Sequence, residues 1–162
     1  MAKIPDSRCS IARTLGVLGE RWTFLILREA FLGATKFAEF RDRLGIAPDV
    51  LSDRLGTLTE YGVLAREPYQ DPGERSRYAY LLTEAGQELQ VILGALQQWG
   101  DEHLPHPDGP SMLRRDKHSQ APLHVAYVDD KGREVTLTDV RMIPAAGPSA
   151  QAAVPRAELA PP

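Results

Sequence analysis

The sequence predicts an α+β fold that is mainly α: a winged helix-turn-helix domain with N- and C-terminal dimerisation helices and a C-terminal β-hairpin extension. Three observations predict it. Two successive helical patterns are joined by the short turn Gly45-Ile46-Ala47, which is typical of a helix-turn-helix. The apolar spacing then changes to the alternation of paired strands around a turn-forming sequence. A long apolar stripe at helical spacing follows these strands.

Two helices are predicted before the helix-turn-helix. The first covers 10–18, where Ile11 and Leu15 follow the helical spacing. The second covers 20–31 and is apolar around most of its circumference, so we expect it to be the central buried helix. Gly33 is expected to stop it.

The two helices of the helix-turn-helix are predicted at 37–44 and 48–61. Thr35 is the expected N-cap of the first, because its hydroxyl can accept from a free backbone N–H. Pro48 suits the first turn of the second, where its missing N–H has no cost. The second helix should bury a stripe formed by Leu51, Leu55 and Leu58.

A β-hairpin and a final helix complete the predicted domain. The strands are expected at 63–69 and 75–82, on either side of the turn-forming stretch 70–74. Thr83 is expected to cap one continuous helix that ends near 103. Its apolar stripe consists of Leu89, Ile92, Leu93, Leu96 and Trp99.

Composition divides the rest of the chain. The winged domain with its dimerisation helices is expected over 1–104, followed by a polar, Pro-rich linker over 105–122. An Asp-Lys-Gly turn between alternating runs predicts a small β-hairpin extension over 123–143. The Pro- and Ala-rich tail, 144–162, is expected to be disordered, because it has little apolar surface to bury.

Charge and cysteine content narrow the function classes. The 162 residues carry a formal net charge of -3, so a nucleic-acid binder of this composition must concentrate positive charge locally. Cys9 is the single cysteine, which excludes an internal disulfide and a multi-cysteine metal site. No metal or cofactor is expected. No apolar run is long enough to span a bilayer and no signal peptide is recognisable, which predicts a cytoplasmic protein.

Five motifs follow one another between residues 8 and 104: Cys9-Ser-Ile-Ala-Arg-Thr-Leu with Leu18-Gly-Glu-Arg-Trp-Thr-Phe-Leu-Ile-Leu-Arg28, Phe37-x-x-Phe40, Leu51-Ser-x-Arg54-Leu55-x-x-Leu58, Tyr61-Gly62-Val63-Leu64 and Tyr80-Leu-Leu-Thr-Glu-Ala-Gly86. Together they closely resemble the HxlR-type bacterial transcription regulators. The resemblance implies a winged helix-turn-helix homodimer that binds promoter DNA, with the terminal helices forming the dimer interface. Some members of that family carry a cysteine-bearing C-terminal appendage. This chain has no cysteine there, so no zinc site is carried over.

The second helix of the helix-turn-helix is expected to enter the major groove, and the hairpin to contact the DNA backbone or the minor groove. The alternative is an ordinary surface helix and a solvated turn. Direct contact of this helix with phosphate is disfavoured at Asp49 and Asp53, because carboxylates repel phosphate. Seven basic and eight acidic residues lie between Lys36 and Arg77, so the net charge of this segment does not attract DNA. Attraction must come from the positions of the basic residues. The candidate DNA-binding residues are Thr35, Lys36, Pro48, Asp49, Ser52, Asp53, Arg54, Thr57, Arg75 and Arg77.

Cys9 is a candidate sensor of oxidants or electrophiles. A helix N-terminus favours the thiolate, and Arg8 and Arg13 could add positive potential. Some members of the family that the chain resembles sense quinones, aldehydes or oxidants with a cysteine at this place. The alternative is a small, partly buried residue without a sensing role.

Apolar stripes on the terminal helices predict a dimer interface, because reading a palindromic site requires a two-fold dimer. The alternative is that Trp99 packs within its own subunit. The candidate interface residues are Ile11, Leu15, Leu89, Ile92, Leu96 and Trp99.

The predicted function is a sequence-specific DNA-binding regulator, a repressor by expectation, that acts as a homodimer. Its partners would be double-stranded promoter DNA, a second copy of the chain and a small-molecule effector or an oxidant acting at Cys9. The alternative is a winged-helix ligand-binding or protein-interaction module with weak or no DNA binding. No catalytic constellation is recognisable, so an enzyme is not expected.

Overall fold

The computed structural model describes residues 4–145. Its order of elements confirms a mainly helical winged helix-turn-helix fold. The described residues divide after Val125 into two compact units. The first holds α1 (Ser10–Leu18), α2 (Arg21–Phe31), α3 (Phe37–Leu44), α4 (Pro48–Glu60), β1 (Leu64–Tyr69), β2 (Arg77–Leu82), α5 (Glu84–Glu88) and α6 (Gln90–His103). The second holds β3 (Tyr127–Val128), β4 (Glu134–Val135) and a short 3-10 helix, Leu137–Asp139.

The core of the first unit forms around α2. This helix contacts α1, α3, α4, α6 and β2, which confirms it as the central helix. Ile26 and Leu27 are fully buried there. The predicted stripe of α4 is confirmed, because three side chains without exposed surface face this core: Leu51, Leu55 and Leu58. Burying each such side chain stabilises the fold by about 1.5–3 kcal/mol, which fixes the opposite face of α4 toward solvent.

The start of α3 differs from the prediction, since Lys36 and not Thr35 occupies the N-cap position. Thr35 instead lies beside the wing, where its carbonyl accepts from the Tyr80 N–H at 2.7 Å. The free N–H groups of Thr35 and Lys36 instead donate to the Glu39 carboxylate, at 2.7 and 2.9 Å. At the other end of α3, Gly45 adopts a left-handed φ of 59°, which confirms the predicted turn.

The hairpin after α4 is antiparallel and forms the wing. Its register pairs Leu64 with Leu82 at the base and Tyr69 with Arg77 at the tip. β2 begins at Arg77, so the predicted strand 75–82 starts two residues too early. Arg75 lies in the loop before it.

The continuous helix predicted from 83 to 103 is interrupted at Leu89, between α5 and α6. The two helices pack against different elements, since α5 contacts β2 whereas α6 contacts α2. The predicted cap is confirmed, because the Thr83 hydroxyl accepts from the Gly86 N–H at 3.0 Å. Gly86 also approaches the wing so closely that an added Cβ would lie 2.2 Å from the Val63 carbonyl oxygen.

The segment expected to be a linker, 105–122, belongs to the first compact unit. The Gln97 side chain donates to the Met112 carbonyl at 2.6 Å. The Gln98 side chain accepts from the Val125 N–H at 2.8 Å and donates to its carbonyl at 3.1 Å. This stretch therefore folds back along α6 and does not run free of it.

The second unit contains the predicted β-hairpin, with strands of two residues each. Asp129 organises its turn by accepting from the N–H groups of Arg133 and Lys131, both at 2.9 Å. The Arg133 backbone N–H is the main cause that holds the pKa of the Asp129 carboxyl below its usual range. Of the predicted disordered tail, 146–162 lies outside the described residues.

Candidate nucleic-acid interface

The face of α4 opposite the core is exposed and is the candidate reading surface. Exposed positions recur at helical spacing along this face: Pro48, Asp49, Ser52, Asp53, Gly56 and Glu60. The face therefore carries three carboxylates and no basic residue. Ser52 is the one side chain on it that can both donate a hydrogen bond and approach a base without a negative charge.

Two other predicted residues of α4 lie away from this face. Arg54 is half-buried, and its guanidinium is paired with the carboxylate of Asp53. Thr57 is only 6% exposed. Thr57 was therefore wrongly placed among the residues available to DNA, whereas Arg54 can reach it by exchanging its partner.

The start of α3 brings Lys36 next to the wing. Lys36 forms an isolated bridge with Ala79 of β2, which fixes its backbone against the hairpin. Its Nζ lies 3.1 Å from Oδ2 of Asp71 and 4.5 Å from the ring centroid of Tyr69. The hydrogen bond to Asp71 is the main cause that raises the pKa of the Lys36 ammonium, which therefore stays charged.

The wing arginines differ in their partners. Arg77 pairs with Glu74 at 2.9 Å. Arg75 is exposed and, among residues 4–145, has no ion-pair partner. Arg66 is also exposed, with its guanidinium 5.0 Å from the ring centroid of Tyr78 and no carboxylate partner in the described chain. Arg66 was not among the predicted DNA-binding residues, although its place in a predicted strand next to the turn of the hairpin was a signal for it.

This arrangement separates two kinds of contact. Cations lie on the wing and at the start of α3, where winged proteins meet phosphate. On the exposed face of α4, the polar side chain without a charge is Ser52. Phosphate contacts would position the protein, and α4 would contribute the base contacts.

Cys9 occupies the N-cap position of α1 and is exposed. Its backbone N–H donates to the Ser7 hydroxyl at 3.1 Å. The Arg13 guanidinium is close by in the chain but donates to the Ser7 carbonyl at 2.6 Å and to the Ser10 hydroxyl at 3.1 Å. The alternative predicted a partly buried residue without a sensing role. The exposure of the Cys9 thiol in the single chain contradicts the burial, and the sensing role stays a prediction.

Five of the six predicted interface residues are exposed on α1 and α6. Their exposed fractions range from 40% to 63%, for Ile92, Leu96, Leu15, Trp99 and Ile11. The Trp99 ring lies beside the His103 ring, with ring centroids 5.1 Å apart. Leu89 differs: it is half-buried against its own core.

An open cleft of about 280 Å³ lies beside α1. Val17, Tyr61 and Leu89 contribute to its mainly apolar lining. Among residues 4–145, no three His, Cys, Asp or Glu side chains are grouped to hold a metal ion. In the same part of the chain, no helix is both long and apolar enough to cross a membrane.

Comparison with known sequences agrees with this architecture. The sequence model of the HxlR-like helix-turn-helix family matches residues 17–108. The chain is 42% identical over 142 residues to the Mycobacterium bovis protein named Uncharacterized HTH-type transcriptional regulator Mb3122, with 85% of this chain and 87% of that protein covered.

Two solved structures show the same fold. The chain is similar to PA1607, proposed as a transcription factor, with a TM-score of 0.73 and 33% identity over 85% of this chain and 96% of the other. It is also similar to the redox regulator HypR in its reduced form, with a TM-score of 0.53 and 28% identity over 59% of this chain and 94% of the other. The alignment with PA1607 therefore covers much more of this chain than the alignment with HypR does.

Proposed function

This chain belongs to the HxlR-like helix-turn-helix family and is a DNA-binding regulator of transcription, and from that premise we propose that it represses promoters as a homodimer. The proposed site is the solvent face of α4 together with the start of α3 and the wing. The protein would act in the cytoplasm, on double-stranded promoter DNA.

One observation supports this site most strongly. The buried stripe of α4 holds the helix so that Ser52 faces solvent, while Lys36 and Arg75 lie on neighbouring elements. A helix presented in this way fits the major groove, and a cationic wing beside it fits the adjacent backbone. Blocking a promoter by occupying it gives repression without any further activity.

The proposed dimer rests on the apolar residues of α1 and α6. Large side chains such as Leu96 and Trp99 are at least half exposed in the single chain. Contiguous exposed apolar surface of this kind is costly in water and is typical of an interface. A two-fold dimer through these helices would present two α4 helices to one face of the duplex.

Cys9 is the proposed site of redox control. Its exposure and its position at the start of α1 support this proposal, as does the similarity to a protein named a redox regulator. A two-electron oxidant such as a peroxide would convert the Cys9 thiolate to a sulfenic acid. A second thiol would then condense with the sulfenic acid to form a disulfide and release water. That thiol would be the partner's Cys9 or a small thiol, because the chain has no second cysteine.

A gel-shift titration tests the proposed DNA binding. The purified protein is mixed with the upstream region of its own operon and with an unrelated duplex, at graded salt. We expect retardation of both at low salt and preference for the upstream region as salt rises. No retardation of either duplex, even at low salt, would overturn the proposal and favour a ligand-binding or protein-interaction module. The three carboxylates on the exposed face of α4 are the observation that favours such a module over a DNA-binding protein.

The redox proposal is tested separately with Cys9→Ser. Diamide or a quinone should release the wild-type protein from DNA and leave the Ser variant bound. Identical release of both proteins would show that Cys9 does not carry the response.

A further inference from the structure

The ion pair between Lys36 and Asp71 stands out among those of the DNA-facing surface. The pairs formed by Arg77 with Glu74 and by Arg54 with Asp53 join near neighbours in sequence. Lys36 and Asp71 are 35 residues apart and join the start of α3 to the wing. The pair therefore connects the two elements that would both contact the DNA backbone.

The geometry of this pair is supported on both sides. The Lys36 ammonium donates to both carboxylate oxygens of Asp71, at 3.1 and 3.4 Å, and lies over the Tyr69 ring. The backbone at Lys36 is held by its bridge to Ala79. Both charged side chains are nevertheless partly exposed, 39% and 48%, so a phosphate can reach the ammonium from solvent.

We propose that Asp71 competes with DNA phosphate for the Lys36 ammonium, so that the wing limits how tightly the protein binds DNA of arbitrary sequence. The inference rests on the proposed DNA-binding function. A phosphate oxygen that approaches Lys36 must displace a carboxylate of the same charge and remain near it. Exposed ion pairs contribute little to folding, so stability alone is a weak reason for this pair.

Asp71 would thereby favour specificity. Sequence-independent affinity comes almost entirely from phosphate contacts, whereas base contacts are made by the reading helix. A carboxylate that weakens one phosphate contact lowers the background of binding to all DNA and leaves the contacts of Ser52 unchanged. Glu39 is the other carboxylate near Lys36. It accepts from two backbone N–H groups, so a phosphate would displace it less easily than it would displace Asp71.

The test is a double-mutant cycle on DNA binding. Wild type, Asp71→Asn, Lys36→Gln and the double variant are titrated by fluorescence anisotropy with an unrelated duplex of about 30 base pairs, over a salt series of about 20–200 mM. Glu102→Gln, which removes the same charge from an exposed position of α6, is the matched control.

We expect Asp71→Asn to bind about two- to fivefold more tightly than wild type at low salt, because Lys36 is released from its ion pair. Its plot of log affinity against log salt should be steeper by up to about 0.9 for each subunit that contacts the duplex, since each would gain one phosphate contact. The gain should disappear in the Lys36→Gln background and should be absent in the Glu102→Gln control.

Three outcomes would overturn the inference. The affinity of Asp71→Asn could equal that of wild type, the gain could persist without Lys36, or the Glu102→Gln control could gain as much. Wild-type binding with any of these outcomes rejects the role of Asp71 and leaves the proposed function standing. Absence of binding by all five proteins at low salt rejects both.

Discussion

Basic side chains on the DNA-facing surface differ in how freely they can meet a phosphate. Lys36, Arg54 and Arg77 each pair with a carboxylate, whereas Arg75 is exposed and unpaired within the described chain. A paired cation must exchange its partner on binding. An unpaired one contributes its full charge to the contact.

Arg75→Gln should therefore weaken binding to all DNA sequences by a similar factor. The loss of one phosphate contact in each subunit should reduce the salt slope of log affinity by about 0.9 per subunit bound to the duplex. Lys117→Gln, an exposed cation in the segment along α6, is the matched control and should leave the slope unchanged. An unchanged slope for Arg75→Gln would show that the loop of the wing does not touch the backbone.

Glu39 stabilises the start of α3 through its carboxylate. The backbone N–H groups of Lys36 and then of Thr35 hold the pKa of this carboxyl below its usual value of about 4.3. This stabilisation is fully present above the usual value and is lost as pH falls through the lowered pKa. Glu39→Ala should lower the free energy of unfolding by about 1 kcal/mol at neutral pH, which is the typical cost of a lost cap.

Urea denaturation at pH 7 and at a series of pH values below about 4.3 measures this effect. The difference between wild type and Glu39→Ala should shrink as pH falls. Glu39→Gln, which keeps an acceptor but no charge, should lose less at neutral pH. A difference that is constant with pH would contradict the role given to the carboxylate.

At the scale of elements, the contact between α5 and the wing depends on one glycine. An added Cβ at Gly86 would lie 2.2 Å from the Val63 carbonyl oxygen, whereas an added Cβ at Gly56 of α4 would meet no atom within 4 Å. A side chain at position 86 would therefore require the backbone to move, whereas a side chain at position 56 would not.

Gly86→Ala should therefore lower the free energy of unfolding by about 1–3 kcal/mol, the usual cost of overpacking. Gly56→Ala should raise it by about 0.5–1 kcal/mol, because alanine loses less backbone entropy in a helix. Chemical denaturation of the two variants provides the comparison. Equal stability of both would show that α5 does not approach the wing as closely as described.

The elements that sequence reasoning predicted well are those with local signals. The stripe of α4 was predictable because Leu51, Leu55 and Leu58 share one helical face. The turn at Gly45 and the cap at Thr83 were predictable because each depends on one residue type at one position. The hairpins followed from turn-forming residues between alternating runs.

The features that were missed depend on contacts between distant residues. The break at Leu89 arises because α5 and α6 follow different neighbours, which the continuous helical pattern conceals. Thr35 lost its expected capping role because its backbone is held by Tyr80, far away in sequence. The pairing of Lys36 with Asp71 was not visible for the same reason, so the charges of the site could be counted but not assigned to partners.

At the scale of the whole molecule, the proposed recognition of DNA needs two copies of α4 held at a fixed distance and orientation. The exposed apolar residues of α1 and α6 are the surface proposed to provide it. A charge placed in that surface should separate the copies without disturbing the core.

Light scattering of the wild-type protein should give twice the chain mass of 17.9 kDa. Leu96→Glu should give the mass of a single chain, because an unpaired carboxylate would be buried in the interface. Leu32→Glu, at a similarly exposed leucine after α2, should remain a dimer. A single-chain mass for the wild type at every concentration would contradict the proposed homodimer.

Hydroxyl-radical footprinting of the bound upstream fragment tests the proposed recognition of DNA by a homodimer, because it shows where α4 and the wing contact the duplex. A homodimer that reads DNA through α4 should protect two regions on one face of the duplex, about 10 base pairs apart from centre to centre. Protection of a single region, or uniform protection without such spacing, would contradict the account.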